Sequence, residues 1–145
     1  MKRFVAFLAV GLLTSCQAAE LEIKDAWARA TVGGTANAAV FMTISSGTPD
    51  RLLGAASPLA GKTDLMTMTS ANGAMSMDYL KSIEVPGGNP VSLNPTGLHV
   101  WLADLKRPLK AGERIPVTLR FENAGERQVS VAVIAPSAPP QNSQG

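Results

Sequence analysis

Residues 66–77, MTMTSANGAMSM, hold four of the six methionines of a 145-residue chain as two Met-x-Met pairs around Asn72-Gly73. Asn-Gly suits a two-residue type I′ hairpin turn, because both central positions need positive φ. With that turn, paired residue numbers sum to 145, so Met68 faces Met77, Ser70 faces Met75 and Met66 faces Tyr79. Side chains two apart share a strand face, which puts Met66, Met68, Met75 and Met77 on one side. Diagonal neighbours on such a ladder lie about 7–8 Å apart, within reach of a common point for long thioether arms. A further segment, Leu98-His99-Val100-Trp101, carries the sole histidine of the chain, with Trp101 on the same face.

Thioether and imidazole donors, with neither thiolate nor a carboxylate cluster, favour Cu(I) over zinc, calcium or magnesium. Methionine at alternate strand positions is also ordinary packing, and a lone histidine is commonly a satisfied structural residue. Residue type alone leaves both readings open.

The elements that must position these residues are β-strands. From Leu21 onward, short apolar and β-branched segments alternate with Gly, Pro, Asn and Asp, the pattern of an all-β sandwich or barrel. The expected strands are 22–31, 38–45, 51–56, 63–69, 74–85, 90–93, 97–102, 115–121 and 128–135. Alternation is clearest in Val117-Thr118-Leu119-Arg120-Phe121 and in Val129-Ser130-Val131-Ala132-Val133. Trp27 and Met42 read as framework or core, and Arg29 with Asp25 as a structural pair. The segment 136–145, rich in Pro, Ser and Gln, has nothing with which to build a core and is expected to be disordered.

The first residues, MKRFVAFLAVGLLTSCQAA, have the basic start, apolar run and small-residue end of a secretory signal, here assigned to residues 1–19. The apolar run is shorter than the roughly 20 residues that a permanent span needs. Leu13-Thr14-Ser15-Cys16 resembles a bacterial lipobox, with Cys16 as the lipidated new N-terminus, and cleavage near Ala18 is the alternative. Either exports the domain, residues 20–135, to the periplasm, and lipidation would anchor it to the membrane.

Thirteen basic and eleven acidic residues give the chain +2, but Lys2 and Arg3 belong to the signal. The remaining domain is near neutral, which argues against nucleic acid as a partner. Cys16 is the single cysteine, so no disulfide and no thiolate ligand is expected in the domain. One histidine and no evident carboxylate pair leave no catalytic set, and the chain reads as a non-enzyme.

Several stretches resemble the periplasmic copper chaperones called PCu(A)C: Asp25-Ala-Trp-Ala-Arg-Ala-Thr31, Asp50-Arg-Leu-Leu-Gly-Ala-Ala56, Pro86-Gly-Gly, Gly97-Leu-His99 and Leu105-Lys-Arg-Pro-Leu-Lys-Ala-Gly112. The likeness runs from about Glu22 to Val133 and implies a cupredoxin-like Greek-key β-sandwich. That family's copper motif is His or Met, ten residues, Met, twenty-one residues, then His-x-Met. Met66, Met77 and His99 match in type and spacing, while Trp101 stands where the family has Met.

The resemblance therefore implies Cu(I) held by Met66, Met77 and His99, with Trp101 as a cation–π cap over the open side. Such a site is similar to the two-Met, one-His, Trp-capped site of a periplasmic copper and silver efflux chaperone on another fold. Met68 or Met75 could instead supply a ligand, or the site could be lost. The implied role is copper delivery to a partner, with a cytochrome oxidase subunit or assembly factor as the expected recipient. Copper or silver sequestration for tolerance, and a β-sandwich interaction module without metal, are the rival readings.

Overall fold

A computed structural model describes residues 21–139. The signal and lipobox readings, including Cys16, lie outside the described residues. The described residues form ten strands, β1 (Glu22–Arg29), β2 (Ala38–Ser45), β3 (Asp50–Ala56), β4 (Ala60–Ala71), β5 (Ala74–Leu80), β6 (Ile83–Val85), β7 (Val91–Leu93), β8 (Leu98–Leu105), β9 (Arg114–Phe121) and β10 (Gly125–Ile134). No helix among the described residues is long and apolar enough to cross a membrane.

Hydrogen bonding runs continuously in the order β5-β4-β8-β2-β1-β10-β9-β3-β6, with β7 added to β2. All pairings between strands are antiparallel except that of β1 with β10. The ribbon folds over on itself: the Thr63 hydroxyl of β4 donates to the Ala55 carbonyl of β3, although these strands are far apart along the hydrogen-bonded path. The result is the expected all-β, cupredoxin-like sandwich.

Alternation explains the core. Along β9, Ile115, Val117, Leu119 and Phe121 are buried, while Arg114, Pro116 and Arg120 are exposed. Val40, Met42 and Ile44 of β2 and Val100 and Leu102 of β8 complete the same interior. Each such side chain contributes about 1.5–3 kcal/mol on leaving water.

Two strand boundaries differ from expectation in an instructive way. The single strand expected over 74–85 is two strands on opposite edges of the path, β5 and β6. No Gly or Pro marks the break at Lys81-Ser82. It occurs because Ile83 and Val85 are buried against β3, where Asp50 pairs with Val85 and Leu52 with Ile83. Strand β4 is also longer than expected at both ends, since it must pair with β8 along one side and with β5 along the other.

In β1 the register against β2 shifts between Lys24 and Trp27, and Asp25 has φ +52°. An extra residue in a strand exchanges the faces of everything beyond it. Ile23 pairs with the core residue Ile44, yet Trp27 pairs with Phe41 on the other face. Trp27 is thus fully buried, as expected of a framework residue, but outside the main core.

The expected Arg29–Asp25 pair does not form. Asp25 is taken up in the bulge, and the Arg29 guanidinium lies 5.3 Å from the Trp27 ring centroid while donating to the carbonyls of Pro136 (2.8 Å) and Ala138 (2.7 Å). Residues 135–138 accordingly make a turn, closed by the Ala138 N–H on the Ala135 carbonyl. The rest of the tail expected to be disordered, after residue 139, lies outside the described residues.

Candidate metal centre

The methionine hairpin has the register that its turn chemistry dictates. Asn72 and Gly73 adopt φ +52° and +78°, and the pairs Met66–Tyr79, Met68–Met77 and Ser70–Met75 all form. Directly paired residues project to the same face. Met66, Met68, Met75 and Met77 therefore share one side of the β4–β5 hairpin.

On its other edge β4 pairs with β8, and there Met66 lies opposite His99 and Asp64 opposite Trp101. A row of side chains thus crosses the outer face of the sheet from Trp27 through Phe41, His99 and Met66 to Tyr79. The Trp27 and Phe41 ring centroids are 4.6 Å apart, and those of Phe41 and His99 are 6.2 Å apart. Trp101 stands 6.1 Å from His99 in an edge-on arrangement. Met77, the diagonal neighbour of Met66, lies on the same face one step toward the hairpin tip.

Burial grades steeply along this face. His99 is 3% exposed and Met66 is 4% exposed, whereas Met77 is at 38%, Met75 at 55% and Tyr79 at 67%. Met68 and Trp101 are half-buried. The structure thus brings Met66, Met77, His99 and Trp101 together, with Met68 adjoining them, and leaves Met75 outermost.

The His99 ring carries the most informative atom. Its Nδ1 lies 3.0 Å from the Gly97 carbonyl oxygen. A carbonyl can only accept, so Nδ1 donates its proton there and, in the neutral ring, Nε2 presents a bare lone pair. Nε2 is buried and has no hydrogen-bond partner among the described residues. An orphaned buried polar atom costs about 1–3 kcal/mol, and a metal ion is a partner that would relieve the cost. The carbonyl that holds the other nitrogen is the usual support of a histidine ligand.

The surroundings suit a soft monovalent ion. No group of three or more His, Cys, Asp or Glu side chains able to hold a metal occurs among the described residues. A hard or borderline ion has no ready-made cage there, while thioether and imidazole together suit Cu(I). Asp64, the carboxylate nearest in register, is engaged by Lys62 at 3.3 Å, and the Lys62 ammonium lies 5.4 Å from the Tyr79 ring centroid.

Two contributors escaped the sequence reading. Phe41, which backs the His99 ring, was discoverable, because placing Met42 in the core turns Phe41 to the opposite face. The Gly97 carbonyl was not, since a backbone acceptor leaves no mark in residue type. It also accepts the Met68 N–H at 3.1 Å, tying the hairpin to the turn that precedes His99.

Known proteins share this fold. The family model described as "Putative lipoprotein LpqE-like" matches residues 21–133. "Putative lipoprotein Lxx21020" of Leifsonia xyli subsp. xyli is 36% identical over 131 residues, covering 89% of this chain and 78% of that protein. Among solved structures, the copper-bound PCuAC domain from PmoF2 superposes with TM-score 0.67 at 30% identity, covering 80% of this chain and 93% of that domain. The Cu(I) form of DR1885 from Deinococcus radiodurans gives TM-score 0.66 at 32% identity, with 83% of each chain covered. The chain therefore belongs to the LpqE-like lipoprotein family, built on the fold of the PCuAC domains.

Proposed function

We propose that this domain is a metallochaperone that binds Cu(I) through Met66, Met77 and His99, with the Trp101 indole over the open side. The observation that carries the reading is the buried, unpartnered Nε2 of His99 directly across the ladder from Met66. Support comes also from the copper-bound structures of PmoF2 and DR1885, which have the same fold. Neutral thioethers keep their lone pairs at any pH at which the protein is folded, and a site with two of them can release its ion by ligand exchange. The cargo passes to a copper-accepting protein; a cytochrome oxidase subunit or its assembly factor is the recipient we propose.

Export and anchoring belong to the same proposal. The Leu13-Thr14-Ser15-Cys16 lipobox, together with the lipoprotein names of the family and of the Leifsonia relative, supports a lipid at Cys16 and a domain tethered in the periplasm. Replacing Cys16 with Ser should release the protein from the membrane fraction, and retention there would count against the tether.

The decisive test of the metal is competition for Cu(I) between the exported protein and a chromophoric chelator. One equivalent should be withdrawn from the chelator by the wild type and much less by His99→Leu. Failure of the wild type to compete would remove every copper role, including sequestration. Transfer of the bound ion to an oxidase copper subunit then separates delivery from storage.

A further inference from the structure

We infer that the hairpin carries a second Cu(I) position made of thioethers alone, from Met68, Met75 and Met77, which shares Met77 with the inner position and serves as its loading and unloading station. The inference rests on the copper reading of Met66, Met77 and His99, and goes beyond it by giving Met68 and Met75 a role of their own.

Register supplies the geometry. Met68 and Met77 are direct cross-strand partners, and Met75 is the next residue on the same face, diagonal to Met68. Three residues so placed on a ladder stand within about 5–8 Å of one another at the backbone, and flexible thioether arms can converge over that span. Soft neutral donors of this kind retain Cu(I) or Ag(I) and discriminate against harder ions.

Exposure supplies the argument against packing. Met75 is 55% exposed on β5, the terminal strand of the sheet, whose far edge has no strand partner among the described residues. A core filler must be buried to be useful, and exposed edge strands are ordinarily blunted with charge rather than lined with methionine. The gradient from Met66 through Met77 to Met75 leads outward from the buried nitrogen to solvent.

The step between positions is a ligand exchange with no change of oxidation state. The bonds from Cu(I) to His99 Nε2 and to the Met66 sulfur break, those to the Met68 and Met75 sulfurs form, and the bond to Met77 persists. No proton or electron is required. Because Met77 is shared, the two positions are alternatives and the wild type holds one ion.

The test uses the exported protein with 13C-labelled methionine methyl groups and Ag(I) as a redox-inert probe. In the wild type one equivalent should shift the Met66 and Met77 methyl resonances. In His99→Leu the ion should relocate, so that Met68, Met75 and Met77 shift and Met66 stays near its metal-free position. Adding Met75→Leu to that variant should weaken Ag(I) binding by roughly tenfold or more, as loss of one donor in three implies. With His99 intact, Met75→Leu should slow Cu(I) transfer to a chelator by a similar factor, roughly tenfold.

Absence of Ag(I) binding by His99→Leu, binding without any shift at Met68 and Met75, or an unchanged transfer rate in Met75→Leu would overturn the station. Shifts at Met68, Met75 and Met77 in the wild type, with Met66 silent and His99→Leu without effect, would instead uphold the outer position and refute the inner one.

Discussion

The two faces of β2, β4 and β8 are both buried near their centres, yet they are built for different ends. Inward, Val40, Leu65, Val100 and Leu102 meet other hydrocarbon side chains. Outward, one residue along in each strand, Phe41, Met66, His99 and Trp101 gather beside a nitrogen without a partner. Burial alone therefore does not identify a core. The inner face is closed and satisfied, while the outer face retains an unmet bond.

Breaking the inner side should have the largest effect on stability. Leu102 is fully buried, and Leu102→Ala should cost about 2–5 kcal/mol, read as a lower urea midpoint with the metal affinity of the remaining folded protein preserved. If the affinity fell in proportion to stability, the two faces would be one cooperative unit.

His99→Leu inverts that pattern. The apo domain should change in stability by less than about 1 kcal/mol, or gain, because an unsatisfied buried nitrogen is replaced by hydrocarbon. Cu(I) affinity should fall by more than about 100-fold, beyond what loss of a mere supporting group costs. A large loss of apo stability would mean that His99 is structural packing.

Trp101→Phe asks for a smaller effect. Exchanging the indole for the weaker benzene face should cost at most about 0.5–2 kcal/mol of Cu(I) binding. Cu(I) should quench indole emission strongly in the wild type and only weakly in the variant, where Trp27 remains. Equal quenching in both would show that the indole over the metal is not Trp101.

The smallest effect concerns acid. Burial pushes the Asp50 carboxyl up, but the N–H groups of Asn123, Arg51 and Ala124 and the charge of Arg127 outweigh it and hold its pKa below the ordinary 3.8. A lowered folded pKa gives stability that is complete above the unfolded value and is lost as pH falls through the folded one. The wild type should therefore lose stability on acidification below about pH 4, near the ordinary carboxylate range, and Asp50→Asn should show a flatter profile there. Identical acid profiles would assign the loss to other carboxylates.

How much of this was legible differed by interaction range. The hairpin register followed from Asn72-Gly73, a local signal, and β9 and β10 followed from alternation. The pairing of β4 with β8, which sets Met66 opposite His99, joins segments more than thirty residues apart and leaves no local trace. The spacing shared with the PCu(A)C family stood in for it. The split between β5 and β6 was hidden for the same reason, since Ile83 and Val85 follow a distant strand rather than a turn residue. The face that Trp27 takes was not legible at all, because it depends on a single-residue bulge at Asp25 that has no compositional signature.

The Gly97 carbonyl, shared by the Met68 N–H and the His99 ring, has one more consequence. Two donors on one oxygen compete for its electron density. A small rotation of the imidazole is therefore felt by an amide on another strand, and the hydrogen-exchange rate of Met68 becomes a gauge of where the His99 ring sits. Were His99 to take the ion proposed for it, the Met68 amide would report that occupancy from the backbone, without any label on the metal or on the histidine.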